Sequence, residues 1–264
     1  TGSNYNDTLT GNSSSNVISG GYGDDTLDGK GGADALDGGA GTDTVTYAAS
    51  TSAVSVDMTT NANSGGDAQG DTLTNIENII GSAYADTLTG SAYNNVITAG
   101  NGNDVLEGRG GADTIDGGNG TDTASYANSS GQVTVNLTTN VNTYWDAQGD
   151  VLTNIENVTG SAFNDTLTGN SSINVLFGGA GNDTLEGRGG ADTLDGSIGT
   201  DTATYANSTT AVTVNLTTGV NTGGDALNDI LISIENLTGT AYNDTLTGDT
   251  STNALSGGNG DDVL

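Results

Sequence analysis

The stretch GGYGDDTLDGKGGADALDGGAGTDTVT, residues 20–46, consists of three consecutive nonapeptides and decides the fold. In each nonapeptide a glycine-rich hexapeptide ends in Asp and is followed by three residues, of which the central one, position eight, is apolar. Strand alternation turns position eight inward and positions seven and nine outward, whereas the glycine-rich residues form a turn. One strand and one turn make half a coil. Two nonapeptides therefore predict one full coil, with each loop stacked on the loop two nonapeptides later.

A second, longer period encloses the first. The near-identical segments GSNYNDTLT, GSAYADTLT, GSAFNDTLT and GTAYNDTLT start at equal intervals, at Gly2, Gly81, Gly160 and Gly239. They predict repeat 1 (1–80, with nonapeptides over 2–46 and irregular coils over 47–80), repeat 2 (81–159), repeat 3 (160–238) and a partial repeat 4 (239–264). Because each nonapeptide supplies one short strand and one turn, we predict an all-β fold. Its repeats are expected to contact mainly their neighbours, as in other solenoids. This fold is a right-handed parallel β-roll, or β-solenoid, that is continuous over all repeats and has its loops at the coil edges.

Composition restricts the possible functions. The 264 residues include 33 acidic and three basic side chains, a formal net charge of -30, with no His and no Cys. Zinc, haem and thiol chemistry are therefore excluded, and we predict that the chain is not an enzyme. Nucleic acid is not an expected partner, because binding it requires clustered Lys and Arg that release counterions. No apolar run reaches the roughly 18 residues of a membrane span, so none is expected.

Position six carries the residues that indicate a metal. Calcium takes about six to eight oxygen ligands, and carboxylates and carbonyls both suit it, whereas magnesium demands a tight octahedron and keeps its waters. Glycines at positions one, two and four permit positive φ, so that successive carbonyls can turn toward one centre. We predict that several Ca²⁺ ions are bound by the position-six carboxylates, which are Asp7, Asp25, Asp34, Asp43, Asp86, Asp104, Asp113, Asp122, Asp165, Asp183, Asp192, Asp201, Asp244 and Asp262.

The alternative is that Asp and Gly are simply common turn residues. Repetition argues against it, since like charges stacked at roughly 5 Å between coils are unfavourable without a cation. The second nonapeptide of each repeat has Asn instead, at Asn16, Asn95, Asn174 and Asn253. Those loops are expected to bind calcium weakly or to form an amide ladder.

These loops resemble the repeats-in-toxin (RTX) family, also called hemolysin-type calcium-binding repeats. The near-consensus hexapeptides are GGYGDD from Gly20, GGAGTD from Gly38, GGNGTD from Gly117, GGAGND from Gly178 and GGNGDD from Gly257. The resemblance implies that calcium is also held by carbonyls at positions two and four. These belong to Gly21, Gly23, Lys30, Gly32, Gly39, Gly41, Gly100, Gly102, Arg109, Gly111, Gly118, Gly120, Gly179, Gly181, Arg188, Gly190, Ser197, Gly199, Gly258 and Gly260. The GSNYND-type first loops and GSIGTD at Gly196 depart from the consensus.

The resemblance further implies type I secretion and an extracellular or cell-surface location. We predict a spacer or scaffold of an adhesin, surface-layer or matrix protein that folds on calcium binding after export. The array is expected to continue beyond Thr1 and Leu264, since both fall within the repeat pattern. The competing interpretation is a calcium-folding accessory region of a type I secreted enzyme. Lys30, Arg109 and Arg188 are expected to neutralise nearby carboxylates.

A third class of function is a glycan-binding or ice-binding surface. Outward Thr pairs such as Thr87 with Thr89, and Thr166 with Thr168, favour ice binding, although intervening acidic residues interrupt the array. Tyr144 and Trp145 favour stacking on a sugar, with packing on a neighbouring coil as the alternative. Besides calcium, neighbouring copies of the chain and cell-surface glycans are therefore the partners to consider.

Overall fold

A computed structural model describes all residues, 1–264, and its regular secondary structure consists almost entirely of short parallel strands joined by turns. In chain order the elements are β1 (Thr8–Thr10), β2 (Val17–Tyr22), β3 (Thr26–Asp28), β4 (Ala35–Ala40), β5 (Thr44–Thr46), β6 (Ser55–Asp57), η1 (Gly66–Ala68), β7 (Thr72–Thr74), β8 (Asn78–Ile80), β9 (Thr87–Ser91), β10 (Val96–Asn101), β11 (Val105–Arg109), β12 (Thr114–Asn119), β13 (Thr123–Ser125), β14 (Thr134–Asn136), η2 (Trp145–Ala147), β15 (Val151–Thr153), β16 (Asn157–Thr159), β17 (Thr166–Thr168), β18 (Val175–Phe177), β19 (Thr184–Glu186), β20 (Thr193–Asp195), β21 (Thr202–Thr204), β22 (Thr213–Asn215), η3 (Gly224–Ala226), β23 (Ile230–Ile232), β24 (Asn236–Thr238), β25 (Thr245–Thr247) and β26 (Leu255–Ser256). The only helices are the short 3-10 turns η1 to η3, and none is long and apolar enough to cross a bilayer.

The first compact unit comprises Thr1–Ala124 and Gly149–Ile155. Seven of its strands form one sheet in the order β1-β3-β5-β8-β10-β12-β15. The strands of the alternate nonapeptides form the sheet β2-β4-β7 and the run β6-β9-β11-β13. Thr8 pairs with Thr26, and Val96 pairs with Thr114, so each strand pairs with the strand two nonapeptides later. Two nonapeptides per coil and a parallel β-roll are therefore confirmed in this unit.

The second compact unit comprises Ser125–Gln148 and Glu156–Leu264. Its strands form the sheet β14-β17-β19-β21-β24-β26, the run β16-β18-β20-β23 and the pair β22-β25. The register is again two nonapeptides, as in the pairing of Thr166 with Thr184. Repeats 1 to 4 and one continuous solenoid over them stay a prediction.

Position-eight residues from the facing strands form most of the core of each unit. Leu27, Leu36 and Val45 are at most 1% exposed, and the strands that carry Leu27 and Val45 alternate half-buried, buried, half-buried. The inward position eight is therefore confirmed. One apolar side chain in each nonapeptide leaves little surface to bury, so hydrophobic burial alone contributes modestly to stability.

Two of the threonines predicted to face outward are not exposed to solvent. Thr89 is only 9% exposed and Thr168 only 6%. The irregular segments run beside them, since Met58 and Leu137 donate backbone hydrogen bonds to the carbonyls of Thr89 and Thr168. The flat threonine array that an ice-binding surface requires is thus partly covered.

The irregular segments are wider coils of the same sheets. In the first unit β6 pairs with β9, β5 with β8 and β4 with β7. Ser55 lies opposite Thr87 and Ala35 opposite Thr72, so each wider coil spans nearly twice the chain length of a nonapeptide pair. In the second unit the corresponding pairs are β22 with β25, β21 with β24 and β20 with β23. The first and third of these segments thus pair with the short coils within their units, and the irregular coils over 47–80 and their counterparts stay a prediction.

A buried tyrosine fills each of these two wider coils. Tyr47 and Tyr205 are 2% and 1% exposed, and their hydroxyls donate to Oδ2 of Asp71 and Asp229 at 3.1 Å. Burial, and then the adjacent carboxylate, raises the pKa of Tyr47 far above its ordinary value. The hydroxyl therefore remains protonated and supplies a donor to a carboxylate oxygen that has little access to water.

Substitution Tyr205→Phe is expected to lower the free energy of unfolding in saturating calcium by about 1 to 3 kcal/mol, because it leaves a buried carboxylate oxygen without its donor. Chemical denaturation followed by circular dichroism measures the change. Tyr242→Phe is the control, since Tyr242 is 48% exposed. Equal stability of the two variants contradicts the assignment.

Candidate metal sites

The position-six residues form a hydrogen-bonded column along the stack. The N–H of Asp7 donates to Oδ1 of Asp25 at 2.8 Å, and the N–H of Asp25 donates to Oδ1 of Asp43 at 2.7 Å. Each carboxylate thus accepts the N–H of the loop one coil earlier. Further steps of these columns join Asn16 to Asp34, Asp86 to Asp104, Asn95 to Asp113, Asp104 to Asp122, Asp165 to Asp183, Asn174 to Asp192, Asp183 to Asp201 and Asp244 to Asp262.

Position two divides the loops into two classes. In the loops that we call open, the position-two residue lies in the left-handed region, with φ from 62° to 113°. These residues are Gly21, Lys30, Gly39, Gly100, Arg109, Gly118, Gly179, Arg188, Ser197 and Gly258. The position-four glycines of the open loops share positive φ, except Gly199, so the predicted conformation at positions two and four is otherwise confirmed.

Open loops contain a carboxylate oxygen that the protein does not satisfy. Oδ2 is buried and has no hydrogen-bond partner in Asp25, Asp34, Asp43, Asp104, Asp183, Asp192 and Asp201. Such an acceptor is costly unless a cation or a proton meets it. Nowhere do three acidic side chains come together as a metal cluster, so further ligands must come from the backbone.

The carbonyls predicted as ligands face the next loop of the stack, and their role as ligands stays a prediction. The carbonyl oxygens of Gly21 and Gly23 lie directly against Gly39 and Gly41 of the next coil, so closely that a Cβ at either glycine would overlap them. Stacked open loops thus place the position-two and position-four carbonyls of one loop against the next loop of the stack, which also carries a position-six carboxylate. Because all these groups are oxygen acceptors, the loops fit a calcium ion.

Position one does not use the positive φ that its glycine permits. Gly20 and Gly178 have ordinary backbone conformations, and they are glycine for a steric reason. A Cβ at either residue would overlap Oδ2 of the Asp in its own loop, Asp25 or Asp183. The requirement is not absolute, since Ala99 occupies position one of the loop that contains Asp104.

In the remaining loops, which we call closed, the position-six side chain bonds back to position two. The N–H of Ser82 donates to Oδ2 of Asp86 at 2.6 Å, and the Ser82 hydroxyl donates to Oδ1 at 2.7 Å. The pairs Ser3 with Asp7, Ser161 with Asp165 and Thr240 with Asp244 share the backbone hydrogen bond. These four carboxylates already have a donor for Oδ2, and their predicted role as calcium ligands stays a prediction.

The Asn loops are also closed. Ser91 N–H donates to Oδ1 of Asn95 at 2.7 Å, and Asn95 Nδ2 donates to the Glu77 carbonyl at 2.6 Å. An amide ladder is the wrong expectation, because Asn95 is stacked against Asp113 and not against another Asn. The neutral amide satisfies its loop without a cation.

Burial raises the pKa of three free carboxylates of the open loops, Asp104, Asp183 and Asp192. It raises the pKa of Asp104 to about 6, opposed by the hydrogen bond from Asp86 and reinforced by the charges of Asp122 and Asp86. The pKa of Asp192 rises to about 7, again chiefly through burial, and that of Asp183 to about 6. Each raised pKa means that burial disfavours the negatively charged carboxylate, so a proton or a cation beside it stabilises the loop.

The three basic residues pair with acids beside the column. Lys30 pairs with Asp28 at 2.8 Å, and Arg109 pairs with Glu107 at 3.2 Å. Arg188 repeats the arrangement with Glu186 at 3.3 Å. The expectation that they neutralise nearby acids is confirmed for the position-nine carboxylates. These ion pairs therefore leave the free Oδ2 atoms of the open loops for another positive partner.

Residues from the irregular segments end the columns, and the sequence prediction missed them. Asp34 N–H donates to Asp71 Oδ1, and Asp43 N–H donates to Glu77 Oε2. The equivalent acceptors are Asp150 for Asp113, Asp229 for Asp192 and Glu235 for Asp201. A signal existed, since Asp71 belongs to the degenerate nonapeptide GDAQGDTLT that begins at Gly66.

Comparison with known families agrees with this geometry. The RTX calcium-binding nonapeptide repeat matches residues 1–36, 10–45, 71–92, 80–114, 89–124, 153–172, 168–203 and 233–264. A comparison with curated proteins gave no match. The matched segments cover well over half of the chain and include both open and closed loops. The chain therefore belongs to the RTX family of calcium-binding nonapeptide repeats.

Proposed function

We propose that this calcium-binding repeat region is an extracellular spacer or scaffold, in which calcium acts as the structural cross-link that folds the chain after export. Its parent is proposed to be a type I secreted adhesin, surface-layer or matrix protein. The observation that carries the proposal is the column of buried Oδ2 atoms without a donor in the open loops. The chain itself is proposed to have no catalytic role, and the absence of His and Cys supports this.

Calcium affinity becomes folding free energy here. A site assembled from loops on successive coils exists only when the coils are stacked, so an ion that binds the folded state stabilises it by mass action. Without the ion, the net charge of -30 opposes compaction and the thin core offsets little of that repulsion. Low calcium inside the cell would keep the chain unfolded, and higher calcium outside would fold it.

We further propose that the open loops hold the ions, whereas Asp7, Asp86, Asp165 and Asp244 serve as loop caps. A carboxylate oxygen already bonded to its own backbone must give up that bond before it can coordinate a metal. The free Oδ2 of an open loop incurs no such loss, and its coordination removes an uncompensated buried charge.

The pair Asp183→Asn and Asp165→Asn separates the two classes. The amide introduced at position 183 keeps an acceptor for the N–H of Asp165, while its Nδ2 replaces the free oxygen. We expect Asp183→Asn to bind at least one calcium ion fewer per chain and to be less stable than wild type in calcium. Asp165→Asn is expected to keep the full calcium content. Equilibrium dialysis with elemental analysis counts the ions, and equal losses in both variants contradict the proposed division.

Removal of calcium is expected to unfold the chain at neutral pH. Far-ultraviolet circular dichroism in excess chelator should show a disordered spectrum that returns to β structure when calcium is restored. Magnesium at the same concentration is the control, and it is expected to leave the chain unfolded because it resists dehydration and irregular coordination. A full β spectrum in chelator would rule out calcium as the structural cross-link.

Protonation of the buried open-loop carboxylates is expected to restore part of the stability that calcium provides. The pKa of Asp192 is about 7 and those of Asp104 and Asp183 are about 6 in the folded chain, against 3.8 for an ordinary Asp. The folded state therefore binds more protons than the unfolded state. The stabilisation that protonation of these carboxylates gives is complete below about pH 4 and is lost as pH rises through about 6 to 7. Calcium-depleted protein should gain β structure at about pH 4.5 relative to about pH 7.5. Saturating calcium should remove this dependence, and a metal-free chain that is more stable at the higher pH contradicts the expectation.

A further inference from the structure

Three aromatic side chains form an exposed platform in the second compact unit. Tyr144, Trp145 and Phe163 are 54%, 58% and 44% exposed. With Gln132 and Asn164 they line an open cleft of about 390 Å³. This volume is within the range of small-ligand pockets, which is about 300 to 1,000 Å³.

The backbone that presents this platform is strained. Tyr144 and Trp145 have φ of 70° and 45°, in the left-handed region that bulky side chains avoid. The equivalent residues of repeat 1, Gly65 and Gly66, have nearly the same φ of 76° and 45°. The turn is thus built for glycine, and repeat 2 carries two large aromatic residues there at an energetic cost. Strain of this kind is characteristic of functional sites.

A second change in the same repeat accommodates the indole. A Cβ at Gly131 would overlap Nε1, Cε2 and Cδ1 of Trp145, so the indole lies directly on this glycine. The residues equivalent to Gly131 are Ser52 and Thr210, both of which carry a Cβ. Gly131 therefore gives the indole a fixed position on the backbone while more than half of the side chain remains exposed.

Polar groups border the aromatic surface. Gln132 replaces the alanines Ala53 and Ala211 of the other repeats, which adds an amide at the cleft. Asn164 Oδ1 accepts the N–H of Asn182 at 2.8 Å, which orients its amide and leaves Nδ2 available to donate. The cleft thus combines aromatic surface with amide donors and acceptors.

We propose that this cleft binds a neutral carbohydrate. The apolar C–H face of a pyranose ring packs on indole and phenol rings, and ring hydroxyls bond to amides such as those of Gln132 and Asn164. The strong negative charge of the chain disfavours anionic ligands, including acidic polysaccharides and nucleic acids. The open form of the cleft suits a segment within a polysaccharide chain.

The test uses the full calcium-loaded chain on neutral polysaccharides made of glucose, mannose, galactose or N-acetylglucosamine. Affinity electrophoresis detects binding, and calorimetry with the matching oligosaccharide quantifies it. The double variant Tyr144→Gly/Trp145→Gly recreates the glycine pair of the other repeats, so it retains the turn, and it should weaken binding at least tenfold. Gly131→Ser, which displaces the indole but keeps the aromatics, should also weaken binding.

Tyr5→Ala is the matched control, because Tyr5 is an aromatic residue that is 80% exposed and lies outside the cleft. It should leave carbohydrate affinity unchanged, and all variants should bind calcium like wild type. The proposal is overturned if wild type binds none of these glycans or if the double variant binds as tightly as wild type. It is equally overturned if the double variant abolishes only self-association, which would identify a second copy of the chain as the occupant.

Discussion

The hydrogen bond from one position-six N–H to the carboxylate one coil later is the interaction on which the rest of the structure depends. It satisfies a loop N–H beside each strand, and it draws acidic side chains into a column that is nearly closed to water. An Asp has two oxygens, and the column uses only one of them. The fold therefore generates its own demand for a positive partner at the second oxygen, which calcium, a proton or a neighbouring donor can meet.

The protein meets that demand in three ways along its columns. Tyr47 donates its hydroxyl to Asp71, Ser82 folds back on Asp86, and the open loops leave the oxygen of Asp25 free for an ion. The first two donors belong to the chain itself, whereas the oxygen of an open loop needs an ion or a proton from the solution. The proportion of open loops thus sets how strongly stability follows calcium.

Much of the fold was predictable because the nonapeptide fixes both the strand register and the inward position of residues such as Leu27. The longer spacing between paired strands in the wider coils could not be predicted, since those segments lack a regular period. For the site, a shared Asp at position six concealed two kinds of loop. The distinguishing feature is the backbone at position two, which has positive φ at Gly100 but not at Ser82, and residue type alone does not decide it because Ser197 also has positive φ. The role of position one depends on the side-chain rotamer of Asp, which no sequence pattern reveals.

The columns have a direction. The donor N–H belongs to an earlier coil and the acceptor to a later one, so each position-six N–H is satisfied by a residue that follows it in the chain. In a segment that emerges N-terminus first this N–H therefore waits for its acceptor, whereas in one that emerges C-terminus first the acceptor is already in place. The order of emergence thus decides which coil waits for the other, and the acceptors at Asp71 and Glu77 mark where a run of short coils gives way to a wider one.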